Sequence, residues 1–270
     1  MISINKLKQA VAESKQFNLK PVMRDDYFSW LTKSSGNKLI KAVMGFRRSG
    51  KSYLLKMLAK FLLEQKMPKE NVFYLNFEND LLSNIKTVHD LREAWELYLR
   101  EIAILNKPIY IIWDEIQLVD SWEKLVRALY EMGKYNIFLS GFNSKLLSGE
   151  LSSSLSGRSI ELKIFPFSFT EYLKYRNIDT RDYYSNKSHI DQAFMIYLRR
   201  GGLAEQFELD RNLSLSYRES LIQKIILDDI VKRYQVDKIK VLQNTFQFIS
   251  GNLTSTLSLS FAPAVFSLQS

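Results

Sequence analysis

Leu39-Ile40-Lys41-Ala42-Val43-Met44 runs directly into Gly45-Phe46-Arg47-Arg48-Ser49-Gly50-Lys51-Ser52, and the stretch from Lys51 to Gln65 follows with Leu54, Leu55, Leu58, Phe61 and Leu62 at helical spacing. A mostly apolar strand, a glycine-bounded loop and an amphipathic helix thus succeed one another. The loop matches G-x-x-x-x-G-K-[ST]. Gly45 and Gly50 let the backbone turn tightly with its N–H groups facing inward. Those donors and the positive end of the following helix form a cradle for phosphate oxygens. Lys51 has the reach and charge for the β and γ phosphates, and the Ser52 hydroxyl is a hard oxygen ligand suited to Mg²⁺. The expected cofactor-binding set is Gly45, Arg47, Arg48, Ser49, Gly50, Lys51, Ser52 and Tyr53. Arg47 and Arg48 read equally well as solvated charges at the loop tip. A glycine turn at a helix start is the alternative for the whole motif; with only ten glycines in the chain, chance is a poor explanation of it.

Strands and helices alternate outward from this unit. Val72 to Asn76 reads as a strand and Thr87 to Leu105 as a helix. Pro108 opens Ile109-Tyr110-Ile111-Ile112-Trp113, whose unbroken apolar character requires cover on both faces, as in a parallel sheet between helices. Ser121 to Gly133 reads as a helix and Asn136 to Ser140 as a further buried strand. In Ser159 to Ile164 the apolar residues alternate with Ser159, Glu161 and Lys163, the pattern of an edge strand with one wet face. The fold class predicted is α/β: a parallel five-stranded sheet with helices on both faces, over residues 21–176. Residues 1–20 form an N-terminal helical extension. Beyond Pro166 the pattern turns helical. One short helix starts around Phe167 to Leu173, and another spans Ile190 to Arg199 and is stopped by Gly201-Gly202. A longer one is marked by Leu221, Ile222, Ile225, Ile226, Ile230 and Val231. These make a small helical domain at residues 177–250. Residues 251–270 are uncharged, rich in serine, threonine and leucine, and expected to lack firm structure.

Trp113-Asp114-Glu115 ends the most apolar strand. In an open parallel sheet, ligands sit beyond the carboxyl ends of the strands, so Asp114 and the loop at Gly45 can face one ligand. Asp114 is the expected Mg²⁺ ligand, directly or through water, together with Ser52. Glu115 is expected to polarise a water for in-line attack on a γ phosphate. Ser140-Gly141-Phe142-Asn143 offers two candidates, Ser140 and Asn143, for holding that water or sensing the phosphate. Arg158 could stabilise transition-state charge in its own chain or in a neighbour's, or simply open the edge strand. Arg24, Asp25 and Tyr27, upstream of the first strand, could cover a base.

Composition narrows the alternatives. The 270 residues contain 46% hydrophobic and 25% charged residues, which excludes a disordered or fibrous chain. There is no cysteine, hence no disulfide, thiolate chemistry or cysteine-bound zinc, and two histidines are too few for a His-built metal site. No secretory signal or ~20-residue apolar span is visible, so the expectation is a cytoplasmic protein without a membrane partner. The net charge of +9 is compatible with an anionic partner such as DNA. Lys232-Arg233 and Lys238 to Lys240 are the candidate basic cluster, although a solvated helix end explains them as well.

These residues resemble an AAA-type P-loop ATPase, and more closely the prokaryotic family in which the AAA domain precedes a domain of unknown function. The motifs carrying the resemblance are GFRRSGKS (45–52), WDEIQ (113–117), WEKLVRALY (122–130), SGFNSKLLS (140–148), Gly157-Arg158, FPFSFTEYL (165–173), YLRRGGLAE (197–205) and LDDIVKRY (227–234). The resemblance implies an AAA sheet with the Asp114 strand between those of Val72 to Asn76 and Asn136 to Ser140. It implies ATP binding with Lys51, Ser52, Asp114 and Glu115 in the roles argued above, a helical lid, and a partial winged-helix-like segment after it. Phe142 stands where the family has a small polar residue, and Ala204 where it has proline. From Gly251 onward the likeness ends, as in a C-terminally truncated member. The expected function is Mg²⁺-dependent ATP hydrolysis coupled to lid movement, with ATP, DNA and a second copy of the chain as candidate partners. A nucleotide-switched DNA-binding module and a member that binds ATP without turnover are the alternatives.

Overall fold

Ile40–Gly45 (β1), Val72–Asn76 (β2), Ile109–Asp114 (β3), Tyr135–Gly141 (β4) and Ser159–Ile164 (β5) form one five-stranded sheet in the order β2-β3-β4-β1-β5. Every pairing is parallel. The structure, a computed structural model, describes residues 2–14, 22–141, 155–231 and 235–252. By internal contacts it divides into two compact units, residues 1–204 and 205–270.

The strand sequences explain the layering. Ile111 and Trp113 of β3, Ile137 and Leu139 of β4, and Ala42 and Met44 of β1 pack on one face, against Leu7, Ala10 and Val11 of α1 (Ile4–Ser14), Leu91 and Trp95 of α4 (Val88–Glu101), and Leu125 and Leu129 of α5 (Trp122–Glu131). The residues between them, Val43, Ile112 and Phe138, face α2 (Asp25–Ser34) and α3 (Lys51–Glu64) through Leu31, Leu54, Leu55, Leu58 and Leu62. Fully burying such a side chain contributes roughly 1.5–3 kcal/mol. β5, with its alternating pattern, lies at the sheet edge as expected. Lys41 interrupts the apolar run of β1. It is fully buried, its ammonium held by the Asn37 carbonyl and set 5.2 Å from the centroid of the Phe138 ring.

Among the described residues, four α-helices start at a side-chain cap. Thr87 and Asp90 form a reciprocal capping box at α4, and Ser168 and Glu171 do the same at α6 (Phe169–Tyr175). α7 (Tyr183–Arg200) begins seven residues before the Ile190 expected from hydrophobic spacing, because the Asp182 carboxylate accepts the Ser185 N–H at 3.2 Å. It ends, as expected, at Gly201, whose φ of 76° is left-handed. In the second unit, α8 (Arg211–Lys224) starts well ahead of Leu221 for the same reason: Asp210 accepts the Leu213 N–H at 2.9 Å. A π-helical stretch, Ile225–Val231, continues it, and α9 spans Ile239–Gly251. No helix of the described residues is long and apolar enough to cross a membrane.

The register matters most for the site. Asn76 pairs with Asp114, Met44 with Gly141 and Gly45 with Ile164. The carboxyl ends of all five strands therefore share one edge of the sheet.

Candidate phosphate site at the carboxyl ends of the strands

Gly45 leaves β1 in close contact with β5. A Cβ there would lie 2.3 Å from the Ile164 carbonyl oxygen and 2.7 Å from Ser49 Oγ, so only glycine fits. Gly50, at φ 98°, turns the chain into α3. Within the loop the Ser49 N–H donates to the Phe46 carbonyl at 3.1 Å. The Ser49 hydroxyl is buried without a hydrogen-bond partner among the described residues. Lys51 is 5% exposed. Its ammonium donates to the carbonyls of Gly45 (3.2 Å) and Phe46 (3.3 Å) and lies 3.7 Å from Glu115 Oε1. Arg47 lies 3.6 Å from Glu78, and Arg48 adopts a left-handed φ of 66°. Tyr53, in the first turn of α3, has a buried hydroxyl with no hydrogen-bond partner among the described residues, and burial pushes its pKa up.

Asp114 is fully buried at the end of β3. Ser140 at the end of β4 donates to its Oδ1, and the Tyr74 hydroxyl lies 3.1 Å from its Oδ2. Burial pushes the Asp114 pKa up, and the hydrogen bonds from Ser140, Ser52 and Tyr74 only partly offset this. The Tyr74 hydroxyl also lies 3.3 Å from the Ser52 carbonyl oxygen, and its pKa is raised well above the ordinary phenol value by burial and by Asp114. Glu115 takes a left-handed φ of 55°, a conformation that costs about 1 kcal/mol or more for a residue with a Cβ. The turn carries its carboxylate to Lys51. The Glu115 N–H donates to Ser140 Oγ at 3.2 Å, and Gln117 donates to its Oε2.

Lys51, Ser52, Asp114, Glu115 and Ser140 therefore meet as the sequence expects. Ser140 is committed to Asp114 and Glu115; Asn143, the other candidate, lies outside the described residues, as does Phe142. Ser52 with Asp114 is a hard-oxygen pair of the kind that suits Mg²⁺. Among the described residues there is no group of three or more His, Cys, Asp or Glu side chains that could hold a metal ion.

Two expectations need correcting. Arg158 does not approach the loop of its own chain. It precedes β5, its carbonyl accepts the Ile40 N–H at the amino end of β1, and its side chain pairs with Glu131 at 3.0 Å. In a parallel sheet that is the edge opposite the phosphate loop. Arg24 does not present an open face to a base. It is 3% exposed, and its guanidinium carbon lies 4.5 and 4.7 Å from the centroids of the Tyr27 and Phe167 rings. Lys232 and Arg233 of the basic cluster lie outside the described residues.

Sequence reasoning did not find Tyr74. Its signal was present: a phenol inside Val72-Phe73-Tyr74-Leu75, a strand buried on both faces, needs a partner.

A family model described as an AAA domain matches residues 37–173. The chain is 33% identical over 232 residues to an uncharacterized protein of Haemophilus influenzae, a match covering 86% of this chain and 56% of that one. It is 36% identical over 211 residues to an uncharacterized protein of Methanocaldococcus jannaschii, covering 76% of this chain and 45% of the relative. The chain thus spans about half the length of the curated relatives it matches. Among solved structures it is similar to the Walker-type ATPase of Pyrococcus abyssi, with a TM-score of 0.52 at 13% identity over 94% of this chain and 92% of that one. It is also similar to Hsp104 of S. cerevisiae in complex with casein, with a TM-score of 0.53 at 13% identity over 97% of this chain and 52% of that one. Both likenesses are of fold.

Proposed function

Because this chain belongs to the AAA-type P-loop ATPase family, we propose that it binds ATP at the Gly45–Ser52 loop with Mg²⁺ and hydrolyses the γ phosphate. The observation that carries this reading is the meeting of three elements in one place. Lys51 lies 3.7 Å from Glu115, Ser52 acts on the buried Asp114 to lower its pKa, and Ser140 at the end of the neighbouring strand holds Asp114.

Each side chain has a role its chemistry supports. The loop N–H groups and Lys51 bind the β and γ phosphates and offset charge as it develops on them. Ser52 and Asp114 would hold Mg²⁺, which supplies charge neutralisation between phosphate oxygens when bound. Glu115, held by Gln117, orients the attacking water and accepts its proton. Ser140 fixes Asp114 and the Glu115 peptide in place.

Arg158, at the far edge of the sheet, could contribute only to the nucleotide of a neighbouring copy, which makes self-association part of the proposal. We extend the reading to coupling between nucleotide state and the helices that follow β5, as the lid expected from the sequence.

Titration of the protein with ATP, with and without Mg²⁺, tests this. The parent should bind. Lys51→Ala should weaken binding by about tenfold or more, a loss of ~1.4 kcal/mol, while the fold persists. Unchanged affinity in a folded Lys51→Ala protein would remove the phosphate loop from the account. Repeating phosphate release with and without DNA addresses the nucleotide-switched DNA module, for which salt-dependent binding is the signature.

A further inference from the structure

Arg24 is a fully engaged, buried arginine. Its Nη1 donates to the Ser49 carbonyl at 2.9 Å. Nε and Nη2 form a side-on pair with Glu171, at 2.7 and 3.0 Å. Nη2 also donates to the Phe165 carbonyl at 2.9 Å. The guanidinium carbon lies 4.5 and 4.7 Å from the centroids of the Tyr27 and Phe167 rings. Glu171 is the reciprocal cap of α6 and accepts the Ser168 N–H at 2.8 Å. Burial alone would raise its pKa, but Arg24 and Ser168 hold it below the usual carboxylate range. The planar fork of arginine fits this set of acceptors; a lysine ammonium would not span them.

The bond to Ser49 bears on the cradle. In a trans peptide the carbonyl and the next N–H point in opposite directions. Holding the Ser49 carbonyl toward Arg24 therefore turns the Gly50 N–H the other way, away from Arg24. The other end of the network is equally fixed. The Phe167 N–H donates to the Gly202 carbonyl at 2.7 Å, and the Tyr197 hydroxyl donates to the Phe167 carbonyl, also at 2.7 Å. Gly202 approaches so closely that a Cβ would lie 2.1 Å from the Phe167 oxygen.

We propose that Arg24 is a positioning residue that sets the Ser49–Gly50 peptide for phosphate binding and couples the phosphate loop to the segment from Phe165 to Glu171 and, through Phe167, to the Gly201–Gly202 turn. The phosphate-binding half of this rests on the ATP reading above; the coupling between loop and segment does not. Nucleotide on the loop and order in the Phe165–Glu171 segment then favour each other, and the coupling runs equally in both directions.

The test uses the full chain and two readouts. Hydrogen exchange without nucleotide should rise together at residues 46–52 and 165–171 in Arg24→Lys, and in the milder Glu171→Gln, which keeps a capping acceptor but removes the charge. ATP affinity should fall about tenfold in Arg24→Lys. Bound ATP should slow exchange at 165–171 in the parent and not in Arg24→Lys. Trp95→Leu, in the core on the opposite face of the sheet, supplies a control with a lowered melting temperature; it should leave loop exchange and ATP affinity unchanged. Exchange that rises at 165–171 while 46–52 stays at the parent level in both variants overturns the proposal. So does a control that loosens the loop as much as Arg24→Lys, since the effect is then loss of stability alone. Parent protein that fails to bind ATP ends the ATP reading and the phosphate-binding half, while the ligand-free exchange still decides the coupling. Should Arg24→Lys fail to fold, Glu171→Gln carries the same comparisons.

Discussion

The Tyr74 hydroxyl stands 3.1 Å from Asp114 Oδ2, across the β2–β3 pairing. With Ser140 it hydrogen-bonds a carboxylate that has no access to solvent. Such a carboxylate is held in one orientation and its desolvation is incompletely offset, which is a suitable state for receiving a cation. Tyr74→Phe should leave the fold intact and cost roughly 0.5–1.5 kcal/mol of stability, the usual net value of one hydrogen bond. It should also weaken the Mg²⁺ dependence of ATP binding several-fold, as loss of a ligand-orienting group does (~10–100-fold at its strongest). Denaturant melts and Mg²⁺ titrations at fixed ATP measure both effects.

Asp114 links the site to pH. Burial raises its pKa, so a proton competes with Mg²⁺ at higher pH than for an ordinary aspartate near 3.9. Mg²⁺-dependent ATP affinity should therefore fall on acidification, beginning above the range of an exposed aspartate, and recover as pH rises. Asp114→Asn should remove this dependence and lower Mg²⁺-dependent affinity by about tenfold or more, or ~1.4 kcal/mol. Calorimetric titration of MgATP across the acidic range, in parent and variant, distinguishes this from general acid unfolding.

Lys41 offers a prediction independent of nucleotide. Its pKa is lowered by burial to about 8, below the value near 10.4 of an unfolded chain. Between those values the unfolded state binds more protons, so the Lys41 contribution to stability improves as pH rises from about 8 to about 10. Below about 8 the penalty of a buried charge is fully present. Replacing it by methionine, which keeps the length, should remove this slope. The stability difference between parent and Lys41→Met should move in favour of the parent by about 1–3 kcal/mol across that window, at ~1.4 kcal/mol per pKa unit. Urea melts at several pH values would show it, and a difference constant with pH would contradict it.

The parts legible in the sequence are those fixed by local spacing or by burial on both faces. The phosphate loop declares itself in eight consecutive residues. The strands of Ile109–Asp114 and Tyr135–Gly141 declare themselves by apolar runs that demand a parallel sheet. Arg24 and Tyr74 were harder, because their partners are 147 and 40 residues away, and pairing across such distances leaves no periodicity. The Arg158 placement was recoverable: a residue just before a parallel strand must lie at the opposite edge from residues that follow one. The early starts of α7 and α8 were also written in the chain, as Asp182 and Asp210, but hydrophobic spacing is blind to a polar first turn.

Phosphate release by Glu115→Gln, measured beside its ATP affinity, tests the central claim most directly. Glutamine keeps the shape and a hydrogen bond but cannot accept the water proton. The account predicts ATP binding close to the parent and hydrolysis lower by about 10²-fold or more, the contribution of a general base. Hydrolysis at the parent rate in a folded Glu115→Gln protein would contradict the account and leave Glu115 as a turn residue beside Lys51.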